Sequence, residues 1–254
     1  MTGLRHFSER EVVIMQEQKM RHEYKFLCDE SKWTLIRARL RPLMRRDAHT
    51  GEQDHYEIRS VYFDDYRDTC YHRNDAGTDP RAKYRIRAYN GSDEVIRLEK
   101  KIKKQGMTGK RSCPLSTKQY ECLMAEDYGS ILREVMQTDF ASGQEELLRE
   151  FAVLGLTRHM QPKVIVSYER FPLIDPAGNV RVTFDKNIAA GVAFEDFFEE
   201  HPRRMPVMPT GQHLLEVKYD GFLPEYIREL LENGSLRQTT FSKYYICRQE
   251  RMRR

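Results

Sequence analysis

Five stretches of this sequence place charged side chains on alternate residues. Arg21, Glu23 and Lys25 alternate with His22 and Tyr24, and Lys83, Arg85 and Arg87 with Tyr84 and Ile86. Arg97, Glu99 and Lys101 form a third set, Glu216 and Lys218 a fourth, and Arg181, Thr183 and Asp185 a fifth. Alternate residues of a strand share a face, so each stretch, if extended, carries its charges on one side. For any one strand the ordinary reading is a solvated face. Repeated across five strands, with long cations and a few glutamates instead of a mixture of Ser, Thr, Asn and Gln, the pattern points elsewhere. Rows of like charge on adjacent strands repel, and three glutamates do not neutralise them. Closing the sheet turns such rows inward. The natural occupant is then a polyanion with a divalent cation. Arg forms bidentate hydrogen bonds to phosphate and Lys supplies a compact charge. Glutamate oxygens are hard ligands for Mg2+ or Mn2+ bridging phosphates.

The elements that must position these rows are read from periodicity and turn chemistry. Strands are expected over 20–28, 55–64, 82–90, 94–102, 163–171, 179–185, 213–219 and 240–247. Asn90-Gly91 is a strong hairpin turn between the third and fourth. A helix is expected over 31–45, with Trp33, Ile36, Leu40, Leu43 and Met44 at helical spacing behind a Ser31 cap. A second is expected at 116–125, where Ser116 and Gln119 make a capping-box pattern. A third, over 144–155, puts Leu147, Leu148, Phe151 and Leu154 on one face, and a fourth runs from Pro224 to Asn233 with Gly234 after it. Phe171–Asn179, containing Pro, Asp and Gly, reads as a hairpin loop. Residues 1–18 read as an N-terminal arm, and 19–254 as one domain. Strands joined mainly by hairpins favour an α+β fold built on an antiparallel sheet or barrel.

Composition narrows the classes further. A chain of 254 residues with 14 Tyr and 12 Phe can bury a core and is not expected to be disordered. Runs such as Val12-Val13-Ile14-Met15 are far too short to span a membrane, and the N-terminus lacks the apolar core of a signal peptide. Five cysteines without a CxxC pair suggest neither a disulfide framework nor a thiolate zinc site, and a cytoplasmic location is the expectation. The formal net charge of +4 is too small to argue for an anionic partner by itself; the placement of the charges carries that argument. No run of exposed aromatics interleaved with basic residues suggests nucleic acid. The eight His show no HxxxH spacing and are read as non-catalytic, and Trp33 as core.

The ordered set Arg21-x-Glu23-x-Lys25, SVYFDD (60–65), RAKYRIRAY (81–89), RLEKK (97–101), Lys110, SYER (167–170), LLEVK (214–218) and FSKYY (241–245) resembles the catalytic domain of the vacuolar transporter chaperone (VTC) complex. That polyphosphate polymerase domain belongs to the triphosphate tunnel metalloenzymes, with the CYTH-type triphosphatases. The resemblance covers about 20–248. It implies an antiparallel eight-stranded β-barrel forming a tunnel, with helices outside. Arg85, Arg87, Lys101 and Arg170 would then be catalytic. Lys25, Lys110, Tyr168, Ser242 and Lys243 would contact phosphate, and Glu216 would bind the metal. Glu23 and Glu99 match further tunnel acids. Arg21, Lys83, Arg97, Arg181 and Lys218 join the phosphate-binding set from the charged rows. Thr240 stands where eukaryotic members carry Lys, and the SPX sensor and membrane segments of the eukaryotic complex have no counterpart in this sequence, which resembles a stand-alone member.

What the resemblance implies is transfer of the ATP γ-phosphate to a polyphosphate chain, with Mn2+ or Mg2+ as cofactor and ATP and polyphosphate as partners. A terminal phosphate oxygen is already anionic, so no general base is required; positioning and charge stabilisation dominate. Two other classes stay open: a metal-dependent triphosphatase in the same tunnel, and a non-catalytic polyanion binder.

Overall fold

A computed structural model describes residues 20–51, 53–137, 143–232 and 236–253. The arm expected at 1–18 and the Gly234 stop lie outside the described residues.

Among the described residues ten strands form one antiparallel sheet. They are β1 (His22–Asp29), β2 (Arg45–Arg46), β3 (Tyr56–Asp64), β4 (Arg81–Tyr89), β5 (Ser92–Lys104), β6 (Met107–Leu115), β7 (Gln161–Asp175), β8 (Val180–Gly191), β9 (Arg204–Pro206) and β10 (Gln212–Tyr219). Eight of them follow the order β1-β10-β8-β7-β3-β4-β5-β6, while β2 pairs with β7 and β9 with β8. The two ends of this path meet at one point. Arg21 and Thr108 exchange backbone hydrogen bonds of 2.8 and 2.9 Å. Farther along β1, Thr239 N donates to the Lys25 carbonyl at 2.8 Å, and Gln238 bridges Phe26. The C-terminal segment therefore continues along the edge of β1 where β6 leaves it.

Among the described residues seven helices accompany the sheet: α1 (Glu30–Leu40), α2 (Thr69–Asp75), α3 (Thr117–Met124), α4 (Tyr128–Gln137), α5 (Gly143–Arg158), α6 (Glu225–Glu232) and α7 (Lys243–Met252). The strands' apolar faces bury against them in two groups. Val61, Ile86, Leu98 and Cys113 pack with Leu123, Ile131, Leu148 and Phe151. Phe26, Val182, Phe184, Leu215 and Val217 pack with Ile36, Leu40, Ile227 and Leu231. The other face is apolar only in part, where Ile58, Tyr62, Val164, Val166 and Leu214 meet Tyr244 and Cys247 of α7.

The expected strands through 213–219 are present with shifted ends, and the Asn90-Gly91 turn has φ of +52° and +67°, as a two-residue hairpin loop of this kind requires. The Ser116–Gln119 capping box forms in full. Three expectations need correction. The helix expected over 31–45 ends at Leu40, because Pro42 cannot continue the ladder; Leu43 is exposed, and the cap is Asp29, which accepts from Lys32 N. The strand expected over 240–247 is instead α7, capped by the Ser242 side chain. Its Tyr and Phe residues favour a strand by propensity, but Tyr244 and Cys247 bury one helical face. The loop expected over Phe171–Asn179 shrinks to 176–179, since β7 runs to Asp175. Strand β6 and helices α2 and α4 were not anticipated: β6 carries Gly109, Lys110, Arg111 and Pro114 and shows little apolar alternation.

Candidate functional site

The β4–β5 hairpin sets the first part of the site. Its register places Lys83 opposite Lys101, Arg85 opposite Glu99 and Arg87 opposite Arg97, and opposed residues point to one face. Glu99 is fully buried. It accepts from Arg85 Nε (2.8 Å), Arg85 Nη2 (2.7 Å) and Lys110 Nζ (2.8 Å), with Arg87 at 3.7 Å. Burial alone would raise its pKa, but Arg87, Arg85 and Lys110 hold it well below the usual carboxylate range. Arg85 also donates to the Tyr62 hydroxyl at 2.7 Å. Arg87 is poorly satisfied: it reaches Tyr168 Oη only at 3.4 Å, and its Nε is buried without a partner. Arg97 has no acid partner among the described residues.

A second group comes from β1, β10, β8 and β7. Glu23 accepts from Lys101 at 2.9 Å on both oxygens, with Lys218 at 3.2 Å and Lys25 at 3.8 Å. Glu216 accepts from Lys243 at 2.6 Å, with Lys218 and Arg170 at 3.6 Å and Lys25 at 3.8 Å. Arg170 makes two 2.7 Å bonds to Asp185, and Lys243 lies 2.6 Å from the same carboxylate. Glu23, Glu216 and Asp185 all lose their protons more readily than usual; burial opposes this, and the surrounding lysines and Arg170 outweigh it. The Tyr168 hydroxyl faces Arg170, Arg87 and Lys243, which bring its pKa down against the effect of burial.

The lysines of the hairpin behave differently. Burial, helped by Lys25 and Lys218, pulls Lys101 down to about 7 despite Glu23. Its side chain is still 30% accessible, so the interior into which it opens can be reached from solvent. Lys83 is lowered too, by burial and by Lys101, Lys25 and Arg81. It donates to Asn74 Oδ1 at 2.6 Å and Ser242 Oγ at 2.8 Å. Lys25 donates to the Phe241 carbonyl at 2.8 Å, so the start of α7 is tied to β1 and β4 together.

The structure thus brings Glu23, Lys25, Lys83, Arg85, Arg87, Arg97, Glu99, Lys101, Lys110, Tyr168, Arg170, Lys218, Glu216, Ser242 and Lys243 onto one interior face. Arg181 sits at its end, held by Asp47 (2.5 Å) and the Tyr56 hydroxyl (2.8 Å). It is not paired with Asp185. Arg21 is turned out to Asp220 (2.7 Å) and the Asn179 carbonyl and does not join the group. Thr240 is exposed.

Several contributors escaped the sequence reading. Asp185 is fully buried and shared by Arg170 and Lys243, and only its place on an alternating face marked it. Tyr56 and Tyr62 look like core residues of an apolar strand. Asp64, fully buried, accepts from the backbone of Cys70 (2.8 Å) and Tyr71 (2.9 Å) and from the Tyr244 hydroxyl (2.6 Å). It thereby fixes α2 and the first turn of α7, which carries Lys243. No local pattern reveals that contact. A separate cavity of about 790 Å3 lies on the other face of the hairpin, against α4 and α5, where Glu150 is already taken by Tyr84 (2.5 Å), Lys100 (2.5 Å) and Arg111 (2.7 Å).

A divalent cation can be tested against these donors. Among the described residues no group of three or more His, Cys, Asp or Glu forms a metal cage. Glu23 and Glu216 share Lys25 and Lys218 as neighbours. Thr183, opposite Glu216 in the β8–β10 register, has a buried hydroxyl without a partner. One or two carboxylates with hydroxyl and phosphate oxygens suit Mg2+ or Mn2+. The donor set fits a metal that arrives with phosphate.

The chain matches the VTC domain over residues 20–250. It belongs to the VTC domain family. No curated protein matches it. Its fold is similar to that of a Bacillus halodurans protein provisionally assigned as an adenylate cyclase (TM-score 0.50, 14% identity, 89% of this chain and 95% of that one). It is also similar to a Hippeastrum protein provisionally assigned as an adenylyl cyclase, whose dominant activity is described as that of a triphosphatase (TM-score 0.53, 13% identity, 91% and 96%). The VTC domain here therefore has the triphosphate tunnel fold, whose members typically transfer or hydrolyse phosphate groups. No helix among the described residues is long and apolar enough to cross a membrane.

Proposed function

We propose that this VTC domain is a polyphosphate polymerase, transferring the ATP γ-phosphate to a growing polyphosphate chain on its cationic interior face. The observation that supports this reading best is the cation ladder of β4 and β5. From Arg81–Lys103 through Lys83–Lys101 to Arg87–Arg97, paired residues repeat along about 20 Å of strand. A chain of phosphates, more than one triphosphate, would meet a cation at each step.

The chemistry assigned to the side chains is electrostatic. Arg85 and Arg170 are locked by Glu99 and Asp185, so their remaining donors are aimed in advance. Arg87 and Arg97 hold donors without strong partners, ready for phosphate oxygens. Lys243, between Asp185 and Glu216, keeps its proton, because these acids raise its pKa against burial; it supplies a fixed charge where the transferred group would carry negative charge. Glu216 and Glu23 would hold the divalent cation, which would neutralise phosphate charge when bound. Lys25, Lys101, Lys110 and Lys218 line the path, and the end of the chain itself is the nucleophile.

The triphosphatase reading differs in the acceptor, water in place of the chain end, and therefore in the product. Purified protein with ATP and Mn2+, with and without a short polyphosphate primer, resolved on a gel, separates the two. Lengthened chains are expected; release of orthophosphate alone would establish hydrolysis and overturn the proposal.

A further inference from the structure

The interior row continues past the eight-strand path. In register, Glu23 stands opposite Lys218, Lys218 opposite Arg181, Arg181 opposite Ile174, and Ile174 opposite Arg45 of β2. Directly opposed residues of antiparallel strands share a face. Arg45 is therefore on the interior face, two strand spacings, or about 10 Å, beyond Arg181. The sheet makes this possible because β3 begins at Tyr56, opposite Arg170, and β2 takes up the same edge of β7 again at Leu173–Ile174.

The charge balance at this end is uneven. Arg181 has Asp47. Among the described residues one acid, Asp54, serves Arg37 (2.7 Å), Arg41 (3.6 Å) and Arg46. Arg45 is exposed and has no acid partner among the described residues. Charged edge strands guard against unwanted pairing, which accounts for a charge on β2. It does not account for an unpaired cation on the interior face, in line with Lys218 and Arg181.

We propose that Arg45 is an outer phosphate subsite, with the half-exposed Arg41 and Arg46 adding to its field, and that it holds the part of a linear polyphosphate chain lying beyond the interior. This rests on the phosphate-chain reading of the interior and extends it outward. A triphosphate seated among Arg85, Arg87 and Lys101 does not reach Arg45; a long chain running along the row does.

The test is equilibrium binding of sodium triphosphate and of long-chain polyphosphate at one ionic strength. The proteins are wild type, Arg45→Glu, Arg45→Gln, and Lys118→Glu as the same charge reversal on an exposed residue of α3. Arg45→Glu is expected to weaken long-chain binding about tenfold, the size of one lost charge-assisted contact, with Arg45→Gln intermediate. Triphosphate affinity should stay within about twofold on the same scale, and Lys118→Glu should change neither ligand. Unchanged long-chain affinity, or equal losses for both ligands, overturns the subsite. Primer extension by the wild type separates this from the catalytic reading. Extension with no effect of Arg45→Glu keeps the polymerase and removes the subsite. Selective loss of long-chain affinity in a protein that only hydrolyses keeps the subsite and removes the polymerase.

Discussion

Two regions of one interior face use the same side-chain types to opposite ends. In the knot between β7, β8, β10 and α7, cations and acids interleave: Arg170 and Lys243 meet at Asp185, and Lys243 reaches Glu216 as well. Each charge there has a partner within 3 Å, and the acids and bases reinforce one another's ionised forms. On the β4–β5 ladder, cation faces cation at Lys83–Lys101 and Arg87–Arg97, with Glu99 the acid between them. There the two lysines lose proton affinity. The difference separates cations matched by acids from cations that outnumber them: Glu99 is shared by Arg85, Arg87 and Lys110, and Lys101 shares Glu23 with Lys218 and Lys25, which leaves room for an anion. Removing a member of the first should damage the fold; removing a member of the second should damage ligand handling.

The largest effect expected is from Asp185→Asn. It strips the knot of the carboxylate that Arg170 and Lys243 share, leaving buried cations short of charge. Breaking a buried pair from one side costs about 3–5 kcal/mol, so Tm should fall on the order of 10 °C for a domain of this size. A change under about 2 °C would mean that the knot is not structural.

On the ladder the expectation reverses. Arg87→Ala removes a poorly satisfied cation opposite Arg97, so Tm should hold or rise, while turnover falls roughly 100- to 1,000-fold through loss of transition-state charge stabilisation. Normal turnover in this variant would place the ladder outside the chemistry. Glu216→Gln tests the boundary between the two regions, because Glu216 belongs to the knot and is also the best candidate metal ligand. Lys243 retains Asp185 as a partner, so the Tm loss should be smaller than for Asp185→Asn. Mn2+-dependent turnover should drop on the order of a hundredfold, and polyphosphate affinity should be equal or higher, one negative charge having left an anion site. Weakened polyphosphate binding with retained turnover would make Glu216 a structural partner only and leave the metal to Glu23 or Glu99.

The ladder was legible in the sequence and the knot was not, for a physical reason. Lys83, Arg85, Arg87, Arg97, Glu99 and Lys101 lie on two strands joined by one two-residue turn, so local alternation fixes both their face and their register. The knot is assembled across long separations. Arg170 and Asp185 flank the β7–β8 turn, Glu216 comes from β10, and Lys243 enters from a helix whose Tyr244 and Tyr245, following Phe241, resemble a strand. The helix is docked there by Asp64–Tyr244, a contact 180 residues apart in sequence. The motif resemblance supplied Lys243 and Glu216 as individual residues but not their meeting at one carboxylate. In the fold, β6 was invisible because its interior residues are Lys110 and Ser112 and its outward face includes Arg111, leaving no apolar period. Arg181 was placed on the correct face, but its partner, Asp47, lies in a segment expected to begin just past a helix that in fact stops at Leu40.

The smallest effect tests the ladder in the absence of mutation at its arginines. Burial and the neighbouring lysines push Lys101 down to about 7 in the folded protein, against about 10.4 for an ordinary lysine. Between these values the unfolded chain holds a proton that the folded one lacks. This group therefore makes stability increase as pH rises through that window, and its cost is fully present below pH 7. Bound triphosphate reverses the balance, since phosphate oxygens beside the amine favour its charged form. Binding above pH 7 should then take up a proton, and affinity should fall with pH by at most about tenfold per unit. Titration calorimetry in buffers of different ionisation enthalpy reads the uptake directly. Protons carried by triphosphate itself appear in every variant and cancel in the difference. Lys101→Arg, which stays charged throughout, should lose the uptake assigned to Lys101. If uptake persists undiminished, the proton goes to Lys83, whose affinity is lowered by the same crowding, and Lys83→Arg should then remove it. Absence of uptake in the wild type would show both lysines already charged in the empty protein, and the contrast between a compensated knot and an uncompensated ladder would fail at its centre.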